Sequence, residues 1–518
     1  MKVGEILSVK EDVILWQMAH YFVVKQGYRI LNISKDYSDI WLEKFENKER
    51  PIIRLKRIEL TWSNWLKKDR NVTAINGERI RKRFFKKNLK VTNLYISQYP
   101  PVDSYDHLLE PLVINRGKIE VLTQIISNEH YDEYLEKYSL PIHALEGEWN
   151  EDTIEYLKNE TLTYAVNEIN KEKNIFEHSK PFFTYILIAI QVIMFLLLEL
   201  NGGSTNEKTL MEFGAKVNPL IVVGEWWRFF TPVLLHIGFL HLVMNTMALY
   251  FLGSAVEKIF GKLRFLWIYI VAGFSGTVAS FLFSPSLSAG ASGAIFGCFG
   301  ALLYFGVINP RLFARTMGAN VLLMIGINLA FGFTVPGIDN AGHIGGLIGG
   351  FLATGIVHMP KKKNVRMQMF WTITMILVFS ISLPYGYANG IKNSDPYLMT
   401  ALAHQYNQEK EYETSYSLLT DYLSEYEDAP AEAYFVLSYA EIHLQQTENA
   451  KKHLQIATQV KRDFHEAFYN LAILYRDEGN LKQAKIAAEK AVNIKKDVQY
   501  EKLLNEINSE IKSVGEEE

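Results

Sequence analysis

Cysteine is almost absent from this chain. Cys298 is the one thiol among 518 residues. That excludes an intramolecular disulfide framework and any structural zinc site built on cysteine pairs. Acid is scarce in the middle, where residues 181–394 carry six Asp and Glu in 214 positions. The ends differ. Residues 1–180 balance 28 Lys and Arg against 28 Asp and Glu, and residues 395–518 hold 13 against 23, a net of −10. Apolar residues make up 48% and aromatics 13%, so the chain is neither disordered nor collagen-like. Its length has room for about three or four domains.

What fills the acid-poor middle is apolar sequence of membrane length. Phe265 to Pro310 is 46 residues without a charged side chain, Thr316 to Pro360 is 45 with only Asp339, and Met367 to Ile391 is 25 more. A helix crosses a bilayer core in about 20 residues, so each long run must fold back once. Breaks are visible at Ser284-Pro-Ser-Leu-Ser-Ala-Gly290 and at Pro336-Gly-Ile-Asp-Asn340. With Pro181–Leu200 and Val233–Gly253, seven spans are predicted: about 181–200, 233–253, 264–284, 292–308, 319–335, 341–358 and 369–388. No apolar stretch of that length precedes Pro181, so the first span is expected to serve as an internal anchor and not as a cleaved signal.

Lys and Arg near the span ends set the expected orientation. One side collects Lys258, Lys262, Arg264, Arg311, Arg315, Lys361, Lys362, Lys363 and Arg366; the other has Lys208, Lys216, Arg228 and Lys392. Nine against four places the N-terminus in the cytoplasm, and an odd number of spans places the C-terminus outside.

The two ends read as soluble domains. In residues 1–178, helical periodicity over Ile14–Tyr28 gives way to strand-like runs at Tyr28–Ile33, Ile52–Ile58, Val91–Ser97 and Ile119–Ile126, an α/β pattern. Ten Lys and Arg between Lys67 and Lys90, against Asp69 and Glu78, suggest attraction to anionic lipid; a solvated helix face is the simpler explanation of them. A nucleic-acid partner is not expected of a membrane-tethered domain. His20, His107, His130, His143 and His178 lack ligand spacing, and neither metal nor cofactor is expected. Residues 395–510 are helical and repeat at a period of 34. Ala431-Glu-Ala433-Tyr434 maps onto His465-Glu-Ala467-Phe468, Leu437 onto Leu471, Ala450 onto Ala484 and Ala457 onto Ala491; residues 397–430 look like a degenerate third copy. That period resembles tetratricopeptide repeats, whose stacked helices bind peptides or proteins and carry no chemistry. An acidic tail, 511–518, follows.

Polar groups inside the spans are the candidates for chemistry. Span two contains His236, His241 and Asn245; span four opens with Ser292 in Gly290-Ala-Ser292-Gly293; span six opens with Ala341-Gly342-His343. These three spans all run from outside to inside, so their starts share one depth. Ser292 is a weak nucleophile unless a base takes its proton, and His343 is the suitable base at that depth. His241 and Asn245, at i and i+4, share a helix face and can donate to a developing oxyanion, as can the Ser292 amide. No carboxylate stands at that depth to complete a triad, which leaves a Ser–His dyad. Gly293 and Gly297 in span four, and Gly345, Gly349, Gly346 and Gly350 in span six, would let two helix backbones meet closely.

Taken together, Trp227-Arg228, His241-xxx-Asn245, Gly253-xxx-Glu257-xxx-Gly261, Gly290-x-Ser292-Gly293 and Gly342-His343 with its following glycines resemble the rhomboid intramembrane serine proteases. The resemblance covers roughly residues 180–360. The whole layout is similar to the GluP-type rhomboids of Gram-positive bacteria, which add a soluble N-terminal domain, one extra span and a tetratricopeptide tail. It implies a polytopic α-helical membrane protein divided into a cytoplasmic α/β domain (1–178), a six-span core (179–360), a seventh span with its flanks (361–394) and extracytoplasmic repeats (395–510). It also implies Ser292 as nucleophile, His343 as base, His241, Asn245 and the Ser292 amide as oxyanion donors, and membrane proteins as substrates. Many rhomboids carry tyrosine four residues after the serine, stacked on the histidine; here Phe296 stands there. Trp227 and Arg228 are expected at the headgroup level, anchoring a loop in the outer leaflet. Two other readings are a solute transporter, against which the polar groups cluster at one depth, and a non-catalytic adaptor, against which both Ser292 and His343 are retained.

Overall fold

The computed structural model describes residues 3–84, 86–127, 151–361, 363–390, 393–425 and 429–515. His130, His143, Lys362, Lys392 and the last three glutamates of the acidic tail lie outside the described residues. The chain divides into two compact units, Met1–Phe176 and Glu177–Glu518.

The first unit is a six-stranded mixed sheet with helices on both faces. The sheet runs in the order β1 (Arg29–Ile33), β2 (Asp39–Glu43), β3 (Ile52–Arg57), β4 (Leu89–Ile96), β6 (Ile119–Ile126) and β5 (Leu112–Ile114). Strands β3, β4 and β6 are parallel neighbours, and the outer pairings are antiparallel. The central strands are covered on both sides, so polar side chains within them are buried and paired: Arg54 with Asp69, and Asn93 with Thr73 and Tyr95. Ile53 and Leu55 pack towards helix α1 (Val3–His20), which buries Ile14, Leu15, Met18 and Ala19 along one stripe. Ile52, Val91 and Val121 pack towards Ala74 of helix α2 (Ser63–Arg83). Helix α3 (Glu151–Phe176) lies on the α1 side. Two strands escape the sequence pattern: β2 is five residues bounded by charges, and β5 is three residues long. Within Lys67–Lys90 the basic patch is smaller than its composition suggests. Arg70 is buried and donates to the Glu110 carbonyl, and Arg81 is paired with Glu78.

The second unit holds the membrane helices. Five are long and apolar enough to span: Phe183–Leu200, Phe239–Phe260, Lys262–Phe283, Asn340–Val357 and Val365–Asn389. A sixth is a pair, Pro310–Thr316 and Gly318–Thr334, bent by 70°, and the 17-residue Ser292–Ile308 completes seven apolar segments among the described residues. They are numbered here as spans one to seven in chain order. Span two starts six residues later than its hydropathy suggests. Pro232 opens a tight turn over Thr231–Leu234, and Gly238, at φ +81°, redirects the chain into the helix. Span four is buried almost all round, as a charge-free helix with glycine on its faces should be.

Backbone contact holds spans three, four and six together. A Cβ on Gly346 would stand 1.9 Å from the Gly293 carbonyl oxygen, and one on Gly350 would stand 2.2 Å from that of Gly297. Gly345 and Gly349 point elsewhere, towards Ala279 and Ser275 of span three. The two glycine stripes of span six, offset by one residue and hence by about 100° around the helix, serve two different neighbours.

After span seven come three helix pairs, Pro396–Gln408 with Tyr412–Glu425, Ala431–His443 with Thr447–Val460 and His465–Asp477 with Leu481–Ile494, and a final helix, Val498–Gly515. The spaced alanines Ala450, Ala457, Ala484 and Ala491 are buried where paired helices meet. The first pair does not float free of the membrane helices. Leu398, Leu402 and Leu419 share one core with Met211, Val217 and Leu220 from the loop after span one. Asn218 Nδ2 in that loop donates to the Asn393 carbonyl at 2.8 Å.

Candidate active site

Span four begins at Ser292, so the Ser292 N–H sits in the first turn, outside the intrahelical ladder. The approach runs through Gly290, whose φ of +145° favours glycine and whose missing side chain leaves space for His241. A Cβ at Gly290 would lie 2.8 Å from His241 Cε1, 3.0 Å from its Nε2 and 3.8 Å from Ser292 Oγ. His241 and the serine hydroxyl therefore flank one spot. The Ile237 amide donates to His241 Nδ1 at 3.3 Å. An accepting Nδ1 puts the ring proton on Nε2, the atom turned towards Gly290 and Ser292. One turn on, Asn245 is buried, and its Nδ2 donates to the His241 carbonyl at 3.0 Å. His236 precedes span two, fully buried, with its ring edge-on to His241 at 5.3 Å.

His343 lies in the first turn of span six. Its flat neighbour is Phe296 from span four, with ring centroids 4.3 Å apart and planes 8° apart. Close approach of the two helices puts the residues next to serine and histidine in contact: the Gly342 carbonyl oxygen would lie 3.3 Å from a Cβ on Gly293 and 2.8 Å from one on Gly276. Ring Nδ1 of His343 is buried without a hydrogen-bond partner among the described residues. No Ser292–His343 hydrogen bond is formed among them either, and contacts of that kind commonly tighten only with substrate. The arrangement can thus supply a nucleophile, a base held by stacking, and an Nε2–H donor beside the attacking oxygen.

Arg228 faces protein: it is 5% exposed, donating through Nη1 to the Met211 and Ala215 carbonyls at 2.8 and 2.9 Å and through Nε to Glu225 at 2.6 Å. Its rigid fork of donors ties the turn Trp226–Phe229 to the end of the short helix Glu207–Glu212 and the residues after it. The neighbouring Trp226 and Trp227 are exposed. Glu257 is fully buried at the other end of the bundle. It accepts from the Phe182, Phe183 and Thr184 amides and the Thr184 hydroxyl, capping the start of span one. Cys298 is fully buried within span four, a packing residue.

Comparison with known proteins bears on the same residues. The rhomboid domain family matches residues 223–360, the segment holding all four site side chains, and the tetratricopeptide repeat family matches 465–498. Rhomboid protease GluP of Bacillus subtilis (strain 168) is 36% identical over 470 residues, 89% of this chain and 91% of that one. The chain belongs to the rhomboid protease family. As a rhomboid it is a multi-pass membrane protein and an intramembrane serine protease. Other rhomboids match a shorter part of the chain. RHOMBOID-like protein 6, mitochondrial, of Arabidopsis thaliana is 41% identical over 163 residues, 31% of this chain and 53% of that one. RHOMBOID-like protein 1 of the same plant is 39% identical over 148 residues, 28% and 38%.

Sequence reasoning passed over Lys216 and Ser288 beside the site, and set Asp339 aside as a loop residue before span six. Asp339 has a readable signal, a carboxylate three residues before Gly342 at a helix start, and its Oδ1 accepts from the Gly342 amide at 2.9 Å. Lys216 and Ser288 have none.

Proposed function

We propose that this rhomboid hydrolyses a peptide bond in or near a transmembrane segment of a membrane-protein substrate by a Ser292–His343 dyad. Ser292 Oγ attacks the scissile carbonyl while His343 takes its proton, then returns it to the leaving amine; water reverses the sequence on the acyl-enzyme. His241 Nε2–H, Asn245 and the Ser292 amide stabilise the oxyanion. The observation that supports this reading is the backbone contact of Gly293 with Gly342, the neighbours of the serine and the histidine, at the same end of spans four and six. A helical substrate hides its carbonyls in hydrogen bonds, so it must unwind where water reaches.

The same reading divides the chain into a cytoplasmic α/β domain (1–178), the protease core (179–360), a seventh span (361–394) and repeats (395–510) on the outer side with Ser292. The charge bias of the loops supports that orientation, as does the shared core of the first repeat pair with the loop after span one. Tetratricopeptide repeats mediate protein interactions, and these are suited to a protein or peptide partner. The exposed Lys67, Lys68, Arg79, Lys82, Arg83 and Lys87 are suited to anionic lipid.

Mass spectrometry of membrane-protein fragments from cells making wild-type or Ser292→Ala protein tests the reading. Fragments cut near a membrane segment should vanish with the serine. A phenotype that survives Ser292→Ala points to transport or adaptor activity instead.

A further inference from the structure

Ser288 stands four residues before Ser292, and Asp339 four residues before His343. Their side chains meet: Ser288 Oγ donates to Asp339 Oδ2 at 2.8 Å. The other Asp339 oxygen accepts from the Gly342 amide at 2.9 Å, and the Asp339 carbonyl from the His343 amide at 3.1 Å. Ser288 is held in turn by Lys216. The two residues exchange backbone hydrogen bonds of 2.8 and 3.1 Å, and Lys216 Nζ donates to the Ser284 and Ser286 carbonyls at 2.8 Å each. Lys216 is fully buried. The carbonyl preceding it, that of Ala215, is one of the two that Arg228 holds.

We propose that Lys216, Ser288 and Asp339 form a strut that sets the position of Ser292 against His343, and that they are positioning residues for hydrolysis. This rests on the reading that Ser292 and His343 carry the chemistry. The segment Ser284–Ala291 has no helix, and its backbone is held to the rest of the bundle by the Lys216–Ser288 bridge and by the Gly290 amide, which donates to the Pro232 carbonyl at 2.9 Å, so the strut acts together with that bond to deliver Ser292 at a fixed point. Asp339 does the same for span six, where a carboxylate at the helix start also suits the helix dipole. Asp339 is not a third catalytic member. Its oxygens are engaged by Ser288 and Gly342, and His343 Nδ1 has no partner among the described residues. It acts on the histidine through the backbone.

The test uses full-length protein in detergent micelles or vesicles, with a transmembrane substrate that wild type cleaves. For Ser288→Ala, Ser288→Thr, Asp339→Ala, Ser288→Ala/Asp339→Ala and Ser292→Ala, kcat, KM, melting temperature and the fraction labelled by a fluorophosphonate are measured together. A misplacement of about 1 Å can cost on the order of 10²-fold. Ser288→Ala should therefore lose roughly 10-fold in kcat, with KM within about twofold and the melting temperature little changed. Ser288→Thr, which keeps the hydroxyl, should recover most of that loss, and the double variant should be no worse than Asp339→Ala, because both break one link. Wild-type kcat in Ser288→Ala, failure of threonine to rescue, or a loss that follows the folded fraction overturns the strut. Ser292→Ala distinguishes the two levels: residual cleavage by it overturns the dyad and the strut together, whereas an inert Ser292→Ala beside a fully active Ser288→Ala overturns the strut alone.

Discussion

Phe296 lies flat against His343, the ring centroids 4.3 Å apart and the planes 8° from parallel. The stack comes from span four, one helical turn after Ser292, so the helix that carries the nucleophile also holds the face of the base. A phenylalanine does this without offering a hydroxyl.

Aromatic pairs of this kind contribute about 0.5–1.5 kcal/mol beyond their buried area. Phe296→Leu should therefore lower kcat by roughly 2–10-fold as the imidazole loses its plane. Phe296→Tyr keeps the stacked face and should stay within about twofold of wild type. Single-turnover cleavage measures both; equal rates for Leu and Phe would mean that the stack is packing alone.

His241 and Asn245 matter in the transition state if they stabilise the oxyanion. Loss of one donor from a preorganised hole can cost ~10²–10³ in kcat, and with three donors Asn245→Ala should fall at the lower end. His241→Ala should cost at least as much, since its Nε2 faces the spot beside Ser292 Oγ. Melting and single-turnover cleavage on the same preparation decide. Unchanged turnover with a lowered melting point would assign both residues to packing.

Glycines in the spans are not equivalent. An alanine methyl at Gly346 would stand 1.9 Å from the Gly293 carbonyl, whereas at Gly326 in span five it would meet nothing within 4 Å. Forcing backbones apart costs at least ~1–3 kcal/mol, so Gly346→Ala should lower the melting temperature and, by moving His343 from Ser292, abolish most cleavage. Gly326→Ala should leave both unchanged or raise stability slightly. Thermal melts of the two variants side by side check this.

Burial of Lys216 disfavours its charged form and, against the opposing pull of Asp339, lowers its pKa from 10.5 to about 8. Below pH 8 the lysine is charged in folded and unfolded chains alike, and the fold carries the full cost of burying that charge. Between 8 and 10.5 the unfolded chain holds a proton that the folded one has released, so stability rises with pH across that window. The full gain is on the order of 3 kcal/mol. In melts from about pH 7.5 to about pH 10, wild type should gain on Lys216→Met. A pH-independent difference between them would contradict the assignment.

Much of this was legible in the residues. Charge-free runs broken at Ser284–Gly290 and Pro336–Asn340 gave away the spans, because a charge in lipid is costly whatever the fold. The shared direction of the even-numbered spans predicts one depth for Ser292, His343, His241 and Asn245. Facing was harder. Gly345 and Gly346 differ by one position, and only the packed helices reveal that the first meets span three and the second span four. The burial of Arg228 was not legible, because two of its partners are carbonyls, which every residue has and no side-chain pattern advertises. Ser288 and Asp339 are 51 residues apart, joined by a contact that exists only once spans four and six are together. Strand β2 was hidden by its brevity and its terminal Asp39 and Glu43.

The most direct measurement is cleavage of one transmembrane substrate by purified wild type, Ser292→Ala, His343→Ala and the double variant, each shown to be folded by its melting curve. Because the two side chains act as a unit, each single change should abolish turnover, and the double should be no worse than either. Substantial cleavage by folded Ser292→Ala, or losses that multiply in the double variant, would contradict the dyad.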